Sequence, residues 1–197
     1  MAFADPGVDM ALVASAIYLT EQDWDSIATP VVVRRNLTVT GITGDPATLD
    51  LGYVKGKVRL VSGVTLTLHN LALTGYRAGS FVLAPGLDLV LPLPAGERAV
   101  VRLEGGALVL GLCYPLATAQ QAARASANTS RPLALPGTNA YVLPDPLPPG
   151  CSADEPAAPP LERCYAYAQR YVDVATVSIS VGPSGGPVAN GYLRRFT

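Results

Sequence analysis

Residues 58–75 read VRLVSGVTLTLHNLALTG, and the last six, Asn70-Leu71-Ala72-Leu73-Thr74-Gly75, have an echo on each side. The echoes are NLTVTG at 36–41 and GALVLG at 106–111. Asn36, Asn70 and Gly106 open the three hexads, and Asn and Gly are the residue types that most readily adopt a left-handed backbone. They are therefore read as structural corners. After each corner, alternate positions share a face: Leu37 with Val39, Leu71 with Leu73, Ala107 with Val109. Strand-corner-strand units that cannot bury their faces alone, but can stack, are the signature of a solenoid.

The fold expected from this pattern is all-β, a right-handed parallel β-helix, incomplete and carrying long Pro-rich loops. It requires Leu37, Leu71 and Ala107 to stack as neighbours on parallel strands. A β-sandwich is the alternative, since its short alternating strands leave similar traces. The 197 residues fit one domain, or a fragment of one: core rungs over 31–111, a loop-rich excursion over 112–163, and further rungs over 164–197.

Upstream, residues 11–20 alternate as a strand toward their end. Thr20-Glu21-Gln22-Asp23 looks like a capped helical turn, with Trp24 and Ile27 pinning it to the core. Residues 31–40 read as two short strands broken at Arg34-Arg35-Asn36. Downstream, 117–127 is read as a weak helix and 131–160 as a Pro-rich excursion with little regular structure. Residues 161–171 suit a helix or a strand, and 172–181 alternate as a further rung.

Composition supports this picture and narrows the function. Hydrophobic residues make up 49% and charged residues 15%, so much of the chain must be buried or stacked. The 19 Gly and 18 Pro, against 3 Phe and 1 Trp, favour turns and an aliphatic core. A net charge of −1 without a basic tract does not indicate a nucleic-acid or anionic-membrane partner. No apolar run approaches the ~18 residues of a transmembrane helix. Residues 1–15 hold Asp5, Pro6 and Asp9 where a signal peptide needs a basic start and an apolar core, so the chain is read as a piece of something larger.

Reactive constellations are scarce. Cys113, Cys151 and Cys164 are spaced unlike a zinc site, and the lone His69 is distant in sequence. Cys151 and Cys164 flank the Pro-rich loop and would close a ring of modest size, so a structural disulfide is expected there. Cys113 is then unpaired, or pairs outside the chain. His69 is read as a turn residue, with no GxSxG elbow to supply a nucleophile. Asn36-Leu37-Thr38 and Asn128-Thr129-Ser130 match the glycosylation pattern; Asn128 lies in a polar loop, whereas Asn36 has a competing role at its corner. Asp45, Asp50, Asp88, Glu97 and Glu104 are scattered, but on a stacked coil they can meet across rungs. Lys55, Lys57, Arg59 and Arg102 can likewise line one face. A solvated outer face is the default for both sets. Catalytic, cofactor-binding and metal-ligating residues are assigned to none.

The segments LTEQDW (19–24), PVVVRRNLTVTG (30–41) and LDLGYVKGKVRLVSGVTLTLHNLALTGYR (49–77), with the late GC…ERC pair ending at Cys151 and Cys164, carry a resemblance over most of the chain. It resembles the right-handed, pectate-lyase-like β-helix regions of large predicted proteins of volvocine green algae. The resemblance implies an extracellular or cell-surface portion of a bigger protein. The expected function is a non-catalytic module that contacts a cell-wall or matrix glycan or another surface protein, or that spaces other domains. The alternative is a polysaccharide lyase or glycoside hydrolase on the same coil, the lyase using Ca²⁺ held by carboxylates. Polygalacturonases carry NTD, DD, GHG and RIK motifs, and none of the four occurs here. A third reading is an intracellular domain with reduced cysteines.

Overall fold

The structure is a computed structural model that describes residues 2–42, 44, 46–79, 86–127, 131–145, 151, 158–181, 184 and 186–197. It is all-β with parallel sheets. The strands are β1 (Met10–Val13), β2 (Ile17–Tyr18), β3 (Val31–Val33), β4 (Leu37–Gly41), β5 (Ala47–Asp50), β6 (Val58–Leu60), β7 (Thr65–His69), β8 (Leu71–Thr74), β9 (Ala99–Glu104), β10 (Ala107–Leu108), β11 (Ala140–Asp145), β12 (Ala168–Val181) and β13 (Pro187–Phe196). One helix, α1 (Leu116–Ala127), and a 3-10 turn, Glu21–Trp24, complete the described elements. The Asp23 carboxylate accepts from the Thr20 amide at 2.7 Å and the Thr20 hydroxyl at 2.8 Å, closing the start of that turn. Trp24 beneath it is 2% exposed.

The chain visits three sheets in rotation. One runs β1-β4-β7-β9, a second β2-β5-β8-β10, and a third β3-β6, extended by a bridge from Val58 to Val90. Every pairing within these runs is parallel. Parallel partners stack like on like, which fills the interior with aligned aliphatic rows. Leu37, Leu66 and Val101 form one row, Ile17, Leu49, Leu73 and Leu108 another, and Val31, Val58 and Val90 a third. Leu37, Leu60, Leu66, Leu73, Val58 and Val101 are all buried below 2% exposure. Each such side chain contributes roughly 1.5–3 kcal/mol relative to an exposed one.

The register corrects the expected stacking. Leu37 pairs with Leu66, not Leu71; Leu71 pairs with Ala47, and Ala107 with Ala72. The hexads at 36–41 and 70–75 therefore belong to different sheets. Asn36 lies between β3 and β4, whereas Asn70 lies between β7 and β8, as Gly106 does between β9 and β10. Similar sequence arose because any inward-alternating strand after a tight corner reads Leu-x-Leu or Leu-x-Val. Register partners are 24 to 35 residues apart, as between Leu49 and Leu73 and between Leu66 and Val101.

The corners differ in conformation too. Asn70 has φ 50°, but among these positions the glycine with positive φ is Gly105, at 60°, one residue before Gly106. Asn36 is not left-handed; its Oδ1 accepts from the Thr65 amide at 2.8 Å, tying one turn of chain to the next. Gly106 is held to glycine by packing: a Cβ there would collide with the Leu71 carbonyl.

Parallel strands begin at Met10, upstream of the expected core at 31. At the other end lie two long strands, β12 and β13. β13 takes the parallel slot beside β9, but β12 returns antiparallel to it, and β11 adds antiparallel to β12. The stretch 172–181 is thus part of an antiparallel strand, not a further parallel rung. β11 also places a strand inside the excursion expected to lack regular structure. The antiparallel pairing that a β-sandwich needs is confined to β11, β12 and β13.

Candidate functional site

The outer face of the second sheet carries a cleft among the described residues. Strand alternation points Tyr18, Asp50 and Thr74 outward in one row, because Tyr18 pairs with Asp50 and Asp50 with Thr74. Thr48 and Ala72, paired in the neighbouring row, also point outward, yet they are 9% and 0% exposed. Ala158, Pro159 and Pro160 lie over this face, and a cleft of about 360 Å³ runs between them and Tyr18, Thr48, Asp50 and Thr74, with Ala16 and Arg163 on its border.

Local bonds brace this roof. Arg163 donates from Nε to the Ala158 carbonyl at 2.8 Å, the Glu162 amide reaches the Pro159 carbonyl at 2.9 Å, and the Tyr165 hydroxyl donates to the Pro160 carbonyl. A disulfide joins Cys151 to Cys164, with Cα atoms 5.0 Å apart. On the floor, one Asp50 carboxylate oxygen accepts from the Gly52 amide at 2.8 Å. The cleft thus offers one carboxylate, one guanidinium, two threonine hydroxyls and a phenol ring. Such groups are chemically able to hydrogen-bond and stack on a hydroxyl-rich or peptide-like ligand. Among the described residues, Asp50 is the acid that lines it.

Residues singled out from sequence lie elsewhere. His69 is exposed on the outer face of the first sheet, its Nδ1 3.0 Å from the Thr40 hydroxyl. Asn36 is exposed at its corner, while Asn128 and Asp45 lie outside the described residues. Glu104 pairs with Arg102 at 3.8 Å, and Lys57 with Glu21 at 2.7 Å. Asp88 accepts from the Ala78 amide at 2.9 Å, and Glu97 is only part-exposed. Lys57 and Arg59 flank or belong to the third sheet and Arg102 to the first, so these cations do not line one face. Lys55 is exposed on the approach to β6. Cys113 is an exposed free thiol. Among the described residues, no three His, Cys, Asp or Glu side chains gather as metal ligands would. Among the same residues, no helix is long and apolar enough to cross a membrane.

Two polar clusters escaped the sequence reading. Asp173 on β12 accepts two bonds from Arg131, both at 2.9 Å, and one from Arg195 at 3.2 Å. Burial pushes the Asp173 carboxyl up, but the bonds from the two arginines outweigh it and hold the group below the usual carboxylate value. The second cluster sits where β13 joins the core. Tyr192, Arg194 and Phe196 face inward from β13, opposite Ala99, Val101 and Leu103. Arg194 is 8% exposed, donates to the Thr176 hydroxyl at 3.0 Å and lies 4.7 Å above the Phe196 ring centre. Phe196 in turn stacks on Tyr171, with centroids 4.7 Å apart. The signal was present in GYLRRFT: Arg194 is in phase with Tyr192 and Phe196, whereas Arg195 is not. No protein-family model, curated protein or solved structure matches the chain.

Proposed function

We propose that the chain is a right-handed parallel β-helix module of a larger, extracellular or cell-surface protein, and that it binds ligand without transforming it. Rotation of the chain through three parallel sheets supports the coil, and right-handed crossovers are the general rule for parallel strands. The Cys151–Cys164 disulfide supports an oxidising compartment, and the resemblance to the algal β-helix regions supports export.

One observation carries the binding reading: the cleft between residues 158–160 and the outer face of the second sheet. Its hydroxyls, carboxylate, guanidinium and exposed Tyr18 ring suit a cell-wall or matrix glycan. A glycan-array screen, run beside a lyase assay on polygalacturonate with added Ca²⁺, tests it. Binding without turnover, lost in Tyr18→Ala, is expected. Unsaturated product would overturn the non-catalytic reading, and silence on every glycan would overturn glycan recognition. A native thiol count of one is expected; three free thiols would remove the extracellular argument.

A further inference from the structure

Arg194 is a buried cation with no ion-pair partner among the described residues. The residue is over nine-tenths buried, yet among the described residues its guanidinium donates to the neutral Thr176 hydroxyl, and its Nε has no partner. Among the described residues the ion pairs of this region join Asp173 to Arg131 and Arg195, and none reaches Arg194. Its electrostatic neighbours include Arg77, a second cation, and Tyr171 and Tyr76, whose phenols burial keeps protonated, so none of these is a counter-charge. A buried charge ordinarily has a counter-charge or a complete set of hydrogen bonds. The Phe196 ring face supplies part of that stabilisation, but it leaves the edge of the guanidinium unanswered.

The geometry points to an oxyanion site at this end of the core: we propose that a compact oxyanion, carboxylate or inorganic, binds the Arg194 guanidinium beside the Thr176 hydroxyl. The planar fork of arginine matches two oxygens of such a group. The alternating strand places Arg194 on the same interior row as Val101, Leu66 and Leu37, where an aliphatic residue would continue the core. A cation at the end of that row is therefore a departure from the pattern that builds the rest of the interior. This site is separate from the cleft on the second sheet and does not depend on it.

Thermal melting of the full chain in sulfate, phosphate or acetate against chloride at matched ionic strength tests the proposal. A saturable rise is expected, about 3–6 °C at about ten times the dissociation constant. Sulfate or phosphate alone acting would identify an inorganic anion; acetate acting as well would identify a carboxylate. Arg194→Met keeps the length and removes the charge, and its melting should be insensitive to all three anions. Thr176→Val, a milder change, should weaken the saturable response severalfold while the chain stays folded. A rise that fails to saturate, or that is equal in Arg194→Met and Thr176→Val, would overturn the site.

Discussion

At the scale of single residues, two asparagines of the same apparent motif do different work. Asn70 holds φ 50° and donates from Nδ2 to the Ile42 carbonyl at 2.5 Å, whereas Asn36 only accepts from the Thr65 amide. Asn70→Ala should cost about 2–3 kcal/mol, from backbone strain plus a lost hydrogen bond. Asn70→Gly keeps the left-handed backbone and should cost only about 1 kcal/mol. Urea midpoints of the two variants check the difference, and equal losses would contradict the role given to the backbone. Asp173 provides a pH test. Its carboxyl titrates lower in the folded chain than the ~3.9 of an unfolded one, so its stabilisation is present above that value. It is lost as pH falls through the lowered folded value. Asp173→Asn should therefore remove about 1–2 kcal/mol at neutral pH and flatten the acid limb of stability against pH. Residue type alone revealed Asn70 as a corner, because few residues tolerate positive φ. It did not reveal Arg194 or Asp173, whose partners Thr176, Arg131 and Arg195 are brought near only by tertiary folding.

At the scale of elements, alternation made the strands legible but not their partners. Residues 31–33 and 37–41 were readable as two strands with a corner between them, as were the 3-10 turn behind Thr20 and the helix after Leu116. Pairing was not readable, since an inward face of Leu, Val and Ala fits any of the three sheets. The antiparallel pairing of β12 and β13 was missed for the same reason: period-two alternation is identical in parallel and antiparallel strands. The Pro-rich excursion was expected to hold little regular structure, yet residues 158–160 lie against the second sheet, with Ala158 only 8% exposed. The Cys151–Cys164 bond closes the loop that leads to this packed segment, with a sequence separation of 13. Cys151→Ser should cost up to about 3 kcal/mol by the chain-entropy estimate for a ring of this size. The loss should appear locally. Hydrogen exchange should quicken at 158–164 while amides of β4, β7 and β9 keep their protection. Uniform loss of protection along the chain would show that the loop and coils unfold together.

For the whole molecule, three parallel runs visited in rotation determine what the chain can present. Side chains on any outer face are spaced by the parallel inter-strand distance of about 4.8 Å, which makes rows suited to extended ligands. The second sheet carries such a row, Tyr18, Asp50 and Thr74, beside the prolines at 159 and 160. The interior is aliphatic along the coils and becomes polar where β13 brings in Tyr192 and Arg194. Every placement on both sites rests on the register of the turns, above all on β4 lying beside β7 instead of β8. Paired cysteines read that register directly. In a Cys113→Ser background, Thr38→Cys with Thr67→Cys places two outward thiols on directly paired residues. Thr40→Cys with Thr74→Cys places part-exposed thiols on different sheets. Rapid cross-linking of the first pair by a short thiol-specific bifunctional reagent, with none in the second, is the expected result. Cross-linking of the 40–74 pair instead would restore the spacing suggested by the hexads and contradict the register described here.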